Sequence, residues 1–215
     1  NVLHERFLRD TMGGALAIDI DWGRMVATPD GGYAATAATF NNIAYLIKYN
    51  ASLEIEFIKK YLPGNWVSNF WYSPVVWNDG YLLYGCIQTP DLTVVGIVRY
   101  VDSHGELIWE TLIEDSPYIT IVRDLKPISD SSLLILTGSL VTPPVIGGQN
   151  STKSLMHTMN ASGIAELIWE SEPEPEVGYL QNLVSVSEDG IITYGVALKG
   201  YLNNGYPQLI QPTLA

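Results

Sequence analysis

Four Asp-led turns recur along this chain, at Asp30-Gly31-Gly32-Tyr33, Asp79-Gly80-Tyr81, Asp130-Ser131-Ser132-Leu133 and Asp189-Gly190-Ile191, with the Asp positions 49, 51 and 59 residues apart. A repeat of this period constrains the fold more than any other feature. Each copy must be one supersecondary unit that buries its apolar surface only by stacking on its neighbours. Asp-Gly between hydrophobic runs is a hairpin signal, since Gly supplies φ > 0 without steric cost and Asp tolerates the same region.

Each marker is therefore expected to join two antiparallel strands. The strands before the turns read as Arg24 to Thr28, Pro74 to Trp77, Leu125 to Ile128 and Leu183 to Val186, and those after them as Tyr33 to Thr39, Tyr81 to Gln88, Leu133 to Leu140 and Ile191 to Leu198. A third β-rich run follows at Ile43 to Tyr49, Val94 to Val101 and Ser154 to Met159. It ends at a second turn, Asn50-Ala51-Ser52, Asp102-Ser103-His104-Gly105 or Asn160-Ala161-Ser162-Gly163. The fourth run comes at once, from Leu53 to Ile58, Leu107 to Leu112 and Leu167 to Glu170. Four strands in about 50 residues make one propeller blade.

The last repeat has only Gln208 to Gln211 as a third run, and no fourth follows. At the other end, Val2 to Asp10 aligns without a gap on Leu107 to Asp115, placing Glu5 with Glu56, Glu110 and Glu170. The fold expected is all-β, a β-propeller of four blades of four antiparallel strands, closed by the N-terminal strand pairing into the last blade. Its single domain covers 1–215, with blades near 22–62, 72–115, 121–171 and 181–215 plus 1–10. Such pairing of the termini locks the ring and covers strand edges. Half of a larger propeller is the competing architecture. The four glutamates read as solvent-facing edge protection.

The Asp-Gly-Gly-Tyr turn, the run Tyr45 to Asn50 and the strand Glu106 to Glu110, echoed at Glu166 to Glu170, resemble β-propeller repeats of secreted and cell-surface proteins of bacteria and archaea. That resemblance implies a binding or structural module with no shared catalytic set.

Charge narrows the partners. A formal net charge of −12, with 11 basic residues scattered along the chain, excludes the clustered cations that nucleic-acid binding uses. No apolar run reaches the roughly 20 residues a spanning helix needs. Cys86 is the only cysteine, so no intrachain disulfide or thiolate zinc site can form.

Binding on propellers belongs to the long loops that enter and cross the blades. Here these are expected at Thr11 to Trp22, Pro63 to Tyr72, Ser116 to Thr120, Val141 to Lys153 and Pro173 to Gln181. Within them Trp22, Trp66, Phe70, Trp71, Tyr72, Tyr118 and Tyr179 are the candidate ligand-binding residues, because aromatic faces interleaved with Asn and Ser can stack on sugar rings while amides bond hydroxyls. The alternative role for these rings is to plug the tapering core. Asp19, Asp21, Glu172, Glu174 and Glu176 offer oxygen ligands of a kind calcium accepts, yet the ordered Asp-rich loop is missing, so neither metal nor cofactor is assigned.

His4, His104 and His157 fall in different elements, and no nucleophile or zinc motif occurs. Asn50, Asn150 and Asn160 begin glycosylation sequons and favour export to a secreted or cell-surface location. The function expected is a non-enzymatic extracellular module that binds a glycan or a protein through the long-loop face, or assembles with copies of itself. A propeller-fold glycoside hydrolase or lyase is the alternative.

Overall fold

The computed structural model describes residues 25–38, 44–61, 68–91, 93–115, 119–140, 152–171, 178–187 and 190–197, with backbone alone for 68–71 and for the last two segments. All regular structure in them is β. The first sheet is an antiparallel meander of β1 (Met25–Ala27), β2 (Tyr33–Ala38), β3 (Ala44–Tyr49) and β4 (Ile55–Tyr61). In the second, β5 (Ser68–Trp71) and β6 (Val75–Trp77) both pair with β7 (Gly80–Gln88), which pairs with β8 (Val94–Asp102) and so leads to β9 (Leu107–Ile113). The third runs β10 (Ile119–Ser129), β11 (Ser132–Leu140), β12 (Thr152–Asn160), β13 (Ala165–Glu170). A hairpin of β14 (Gly178–Ser187) and β15 (Gly190–Ala197) begins the fourth repeat. One parallel bridge, Ile119 to Val94, joins the second and third sheets edgewise.

The first hairpins of the first three sheets fall at the Asp-led turns, and β14 and β15 flank the fourth. Their chemistry differs from the expectation at Asp79-Gly80, where the residue with positive φ (49°) is Asn78 and not the glycine. Gly80 opens β7 and is required there for space, because a Cβ would stand 2.1 Å from the Val101 carbonyl oxygen. The second turn is built identically three times. The Oδ1 of Asn50, Asp102 or Asn160 accepts the backbone N–H groups two and four residues on, at 2.9 to 3.0 Å.

Sheets stack face to face in chain order. Ala34, Leu46 and Tyr61 of the first sheet meet Tyr81, Leu83, Ile87, Val95 and Ile97 of the second. On its other side the second sheet offers Trp77, Leu82, Tyr84, Val98 and Ile113 to Val122, Leu125, Leu133, Ile135 and Met159 of the third. Fully burying one Leu or Ile contributes about 1.5–3 kcal/mol, so each seam is a substantial core. The first sheet is also apolar on the face turned away from the second, where Ala35, Ala37, Tyr45, Ile47 and Tyr49 form a separate buried cluster. Every residue of β3 is buried, which an antiparallel sheet with one solvated face does not show.

The recurring glutamates play a different part from the one expected. Glu56, Glu110 and Glu170 stand six, eight and ten residues beyond Asn50, Asp102 and Asn160, so they share no register. Nor are they merely a solvated fringe. Each ion-pairs with a largely buried cation on the third strand of its own sheet: Glu56 with Lys48 at 2.7 Å, Glu110 with Arg99, and Glu170 with Lys153 at 3.4 Å. The glutamates recur because each third strand carries a base that needs a counter-ion.

Candidate functional site

The first strands of the second and third sheets and of the fourth-repeat hairpin are each interrupted. In the second sheet β5 pairs as far as Trp71 with Gly85, the Tyr72 N–H donates to the Tyr84 carbonyl at 2.9 Å, and the ladder resumes at Val75 with Leu82, one residue out of step. Pro74, which has no N–H to give, sits in the break. In β10 the shift falls between Val122 and Asp124 and leaves Arg123 outside the ladder. In β14 it falls between Leu180 and Asn182, leaving out Gln181. Tyr72, Asp124 and Asn182 thus each stand opposite the fifth residue of the following strand, Tyr84, Leu136 and Tyr194. Bulges re-aim side chains, and the one in β10 puts Arg123 and Asp124 beside the break in the second sheet's first strand.

Around Tyr72 three sheets converge. Its ring stacks on Tyr84 with centroids 5.6 Å apart and planes at 26°. The Arg123 Nη1 donates to the Tyr72 hydroxyl at 3.2 Å, and the Tyr84 hydroxyl donates to Asp124 Oδ1 at 3.4 Å. The Leu125 N–H donates to that same carboxylate oxygen at 2.8 Å, and Thr36 of the first sheet donates to the Tyr72 carbonyl at 2.6 Å. The two phenols are bracketed by the Arg123 cation on one side and the Asp124 carboxylate on the other. Tyr84 is only 6% exposed and belongs to the core of the seam, while Tyr72 is half-buried. Cys86, two residues beyond Tyr84, brings no nucleophile: burial pushes its thiol up to about 11, against the pull of the Arg123 charge.

Of the residues the sequence singled out, Tyr72 lies in this cluster. Phe70 and Trp71 lie on β5 and Tyr179 on β14, so they belong to first strands and not to loops between sheets. The sequence pattern placed those strands too late because the bulge breaks the period of two and Pro74 reads as a strand start. Trp22, Trp66, Tyr118 and Asn150 lie outside the described residues, as do Asp19, Asp21, Glu172, Glu174, Glu176 and His4. Asn50 and Asn160 hold the second turns, and the Asn50 amide also donates to Glu54 at 3.1 Å. His104 is an exposed turn residue, whereas His157 is buried on β12 beside Ile135 and Leu167. Among the described residues no three His, Cys, Asp or Glu side chains gather as a metal site.

Sequence reasoning missed Arg123, Asp124, Tyr84 and Thr36. The one available signal was the pair Arg123-Asp124 inside an otherwise apolar β run, which a regular strand has little reason to carry.

No family model matches this chain, and no curated protein matches it. A crystal structure of a thermostable family-43 glycoside hydrolase is similar over 89% of this chain and 72% of that one, with 12% sequence identity and a TM-score of 0.48. A likeness of that degree assigns neither fold nor activity.

Proposed function

We propose that this chain is a four-sheet β-propeller, completed by its N-terminal strand, that acts as an exported glycan-binding module through the end where the first strands begin. The stacked Tyr72 and Tyr84 rings between Arg123 and Asp124 carry the reading. Sugar recognition combines aromatic rings with a few fixed polar groups, and the half-buried Tyr72 ring with Arg123 and Asp124 beside it brings both kinds together. Ring closure is supported by the apolar second face of the first sheet, where Tyr45, Ile47 and Tyr49 are buried on the side opposite the second sheet. Export is supported by the sequons at Asn50, Asn150 and Asn160.

The test is binding to a glycan panel by the intact protein and by Arg123→Gln and Tyr84→Phe. Both substitutions keep the packing volume close to that of the original. Micromolar to millimolar binding by the intact chain, weakened about tenfold in each variant with unchanged melting, is expected. Absence of binding across the panel, or binding unaffected by either change, refutes this site. New reducing ends or unsaturated products released from the panel would instead favour the hydrolase or lyase, with Asp124 as one of the reacting carboxylates.

A further inference from the structure

The two seams differ in how their buried polar atoms are answered. Where the first sheet meets the second, the buried cations Lys48 and Arg99 are ion-paired, and among the described residues no buried side-chain nitrogen or oxygen is left without a hydrogen bond. Where the second meets the third, Asp115 Oδ2, Thr137 Oγ1 and His157 Nδ1 are all buried, and no described residue hydrogen-bonds to any of them.

These three atoms belong to one face. Strands β11 and β12 pair without a register shift, so alternation puts Thr137 and Ser139 on the side of Leu133 and Ile135, and Lys153 and His157 on that of Met159. Asp115, just beyond β9, reaches the same side. Its Oδ1 accepts from Lys153 Nζ at 3.0 Å, its N–H donates to Thr120 Oγ1 at 3.3 Å, and that hydroxyl lies 3.3 Å from Ser139 Oγ. The Asp115 Oδ2 stands 2.9 Å from the Lys153 ammonium without the direction of a hydrogen bond.

Thr137 pairs with Leu155, and His157 is the next residue of β12 on that face. Diagonal neighbours of this kind lie about 7–8 Å apart across an antiparallel pair, a span that one water closes between a short hydroxyl and an imidazole nitrogen. Thr137 is 0% and His157 7% exposed, so bulk solvent does not serve these atoms. An unmet buried donor or acceptor costs its full desolvation, and apolar packing gives no reason to gather three in one seam. The ligand that answers them is neutral. Burial lowers the His157 pKa against the opposing Asp115 charge, so the ring is uncharged at pH 7 and calls for no anion. A cation is excluded by the ammonium of Lys153 at Asp115, and among the described residues no three His, Cys, Asp or Glu side chains gather. Water both donates and accepts, and so suits Oγ1 and Nδ1 whichever ring nitrogen carries the proton.

We propose that the seam between the second and third sheets is a hydrated joint, in which an ordered water bonds both Thr137 Oγ1 and His157 Nδ1 at the inner end of a polar slot. The mouth of the slot is the ion pair of Asp115 and Lys153, whose side chains are each 16% exposed. The site depends on neither the closed ring nor the glycan platform, and it makes this seam the one of the two that exchanges internal water with solvent.

Three measurements on the full-length chain test this. A high-resolution crystal structure should show a water within hydrogen-bond distance of both atoms, whereas a direct bond from the Thr137 hydroxyl to the ring, or apolar side chains filling the gap, overturns the site. In solution, oxygen-17 relaxation dispersion should count one long-lived water fewer in Thr137→Val, and likewise in His157→Phe, than in the intact chain; equal counts overturn it. Melting supplies a sign. Thr137→Val replaces the hydroxyl with a methyl of the same shape, so where water bridges the two groups the change breaks a bonded network and lowers Tm by about 2–4 °C. Where the hydroxyl is simply unmet, the same change leaves Tm unaltered or raises it, and that result refutes the proposal.

Discussion

Lys48 allows a sharp test of how the sheets tolerate buried charge. Its side chain is 4% exposed, and its Nζ donates to Asp30 at 2.7 Å, Glu56 at 2.7 Å and the Tyr49 carbonyl at 3.0 Å, tying the first turn and the fourth strand to the third strand. The carboxylates are far more open, at 55% and 43%. The energetics are therefore asymmetric. Removing the cation with Lys48→Met leaves two carboxylates that water can solvate, and the methionine stem refills the space, so the loss should stay within about 1 kcal/mol. Neutralising both partners with Asp30→Asn and Glu56→Gln leaves an uncompensated buried ammonium and should cost about 3 kcal/mol, or roughly 6–12 °C in Tm for a chain of this size. Urea and thermal unfolding at pH 7 measure both variants. Equal losses, or a larger loss for Lys48→Met, would refute the reasoning. The triad also sets an acid limit: the Lys48 bond, with help from Thr28 and the Gly32 N–H, holds Asp30 well below the usual carboxylate range. A depressed folded value means the contribution is present above the unfolded value of 3.8 and is lost as pH falls through the folded one.

Gly163→Ala should destabilise by more than about 2 kcal/mol in chemical unfolding, because its φ is +80° and a Cβ would stand 2.8 Å from the rigid Trp109 ring. Trp109→Ala should cost about 2 kcal/mol through lost packing and the lost indole bond to Ala161, and the two changes should combine to less than their sum. Burial lowers the His157 pKa, with the Asp115 charge opposing, so the unfolded chain takes up protons first. Stability should therefore decline as pH falls through 6.5, and His157→Phe should remove that part of a pH-resolved unfolding series. Cys86, with its thiol near 11, should resist iodoacetamide at pH 8 until the chain unfolds, and rapid native labelling would contradict its placement.

The turns were legible because their chemistry is local. An Asx oxygen that accepts two nearby N–H groups needs no tertiary context, and an Asn or Asp side chain holds all three second turns. The first strands were only half legible: Ser68 to Trp71 and Ile119 to Asp124 lie before or across bulges, where alternation restarts out of phase. The glutamates show a different failure. Similar strings, Leu-Glu-Ile-Glu and Leu-Ile-Trp-Glu, suggested a common position, yet Leu53 occupies a turn site that Gly105 and Gly163 fill elsewhere, so the first string starts in the turn while Leu107 opens its strand. The Tyr72 cluster was invisible because Arg123 and Asp124 meet Tyr72 and Tyr84 across two sheets some 40 to 50 residues apart, a proximity only the stacking creates.

The proposed closure of the ring is the account's central claim, and the measurement that tests it most directly is the thermal stability of the chain with residues 1–10 removed. If these residues complete the last sheet as proposed, their removal should expose the apolar face of Tyr45, Ile47 and Tyr49 and lower Tm by roughly 10 °C or more, with faster amide exchange in β3. An unchanged Tm with β3 amides still protected would contradict the closed ring.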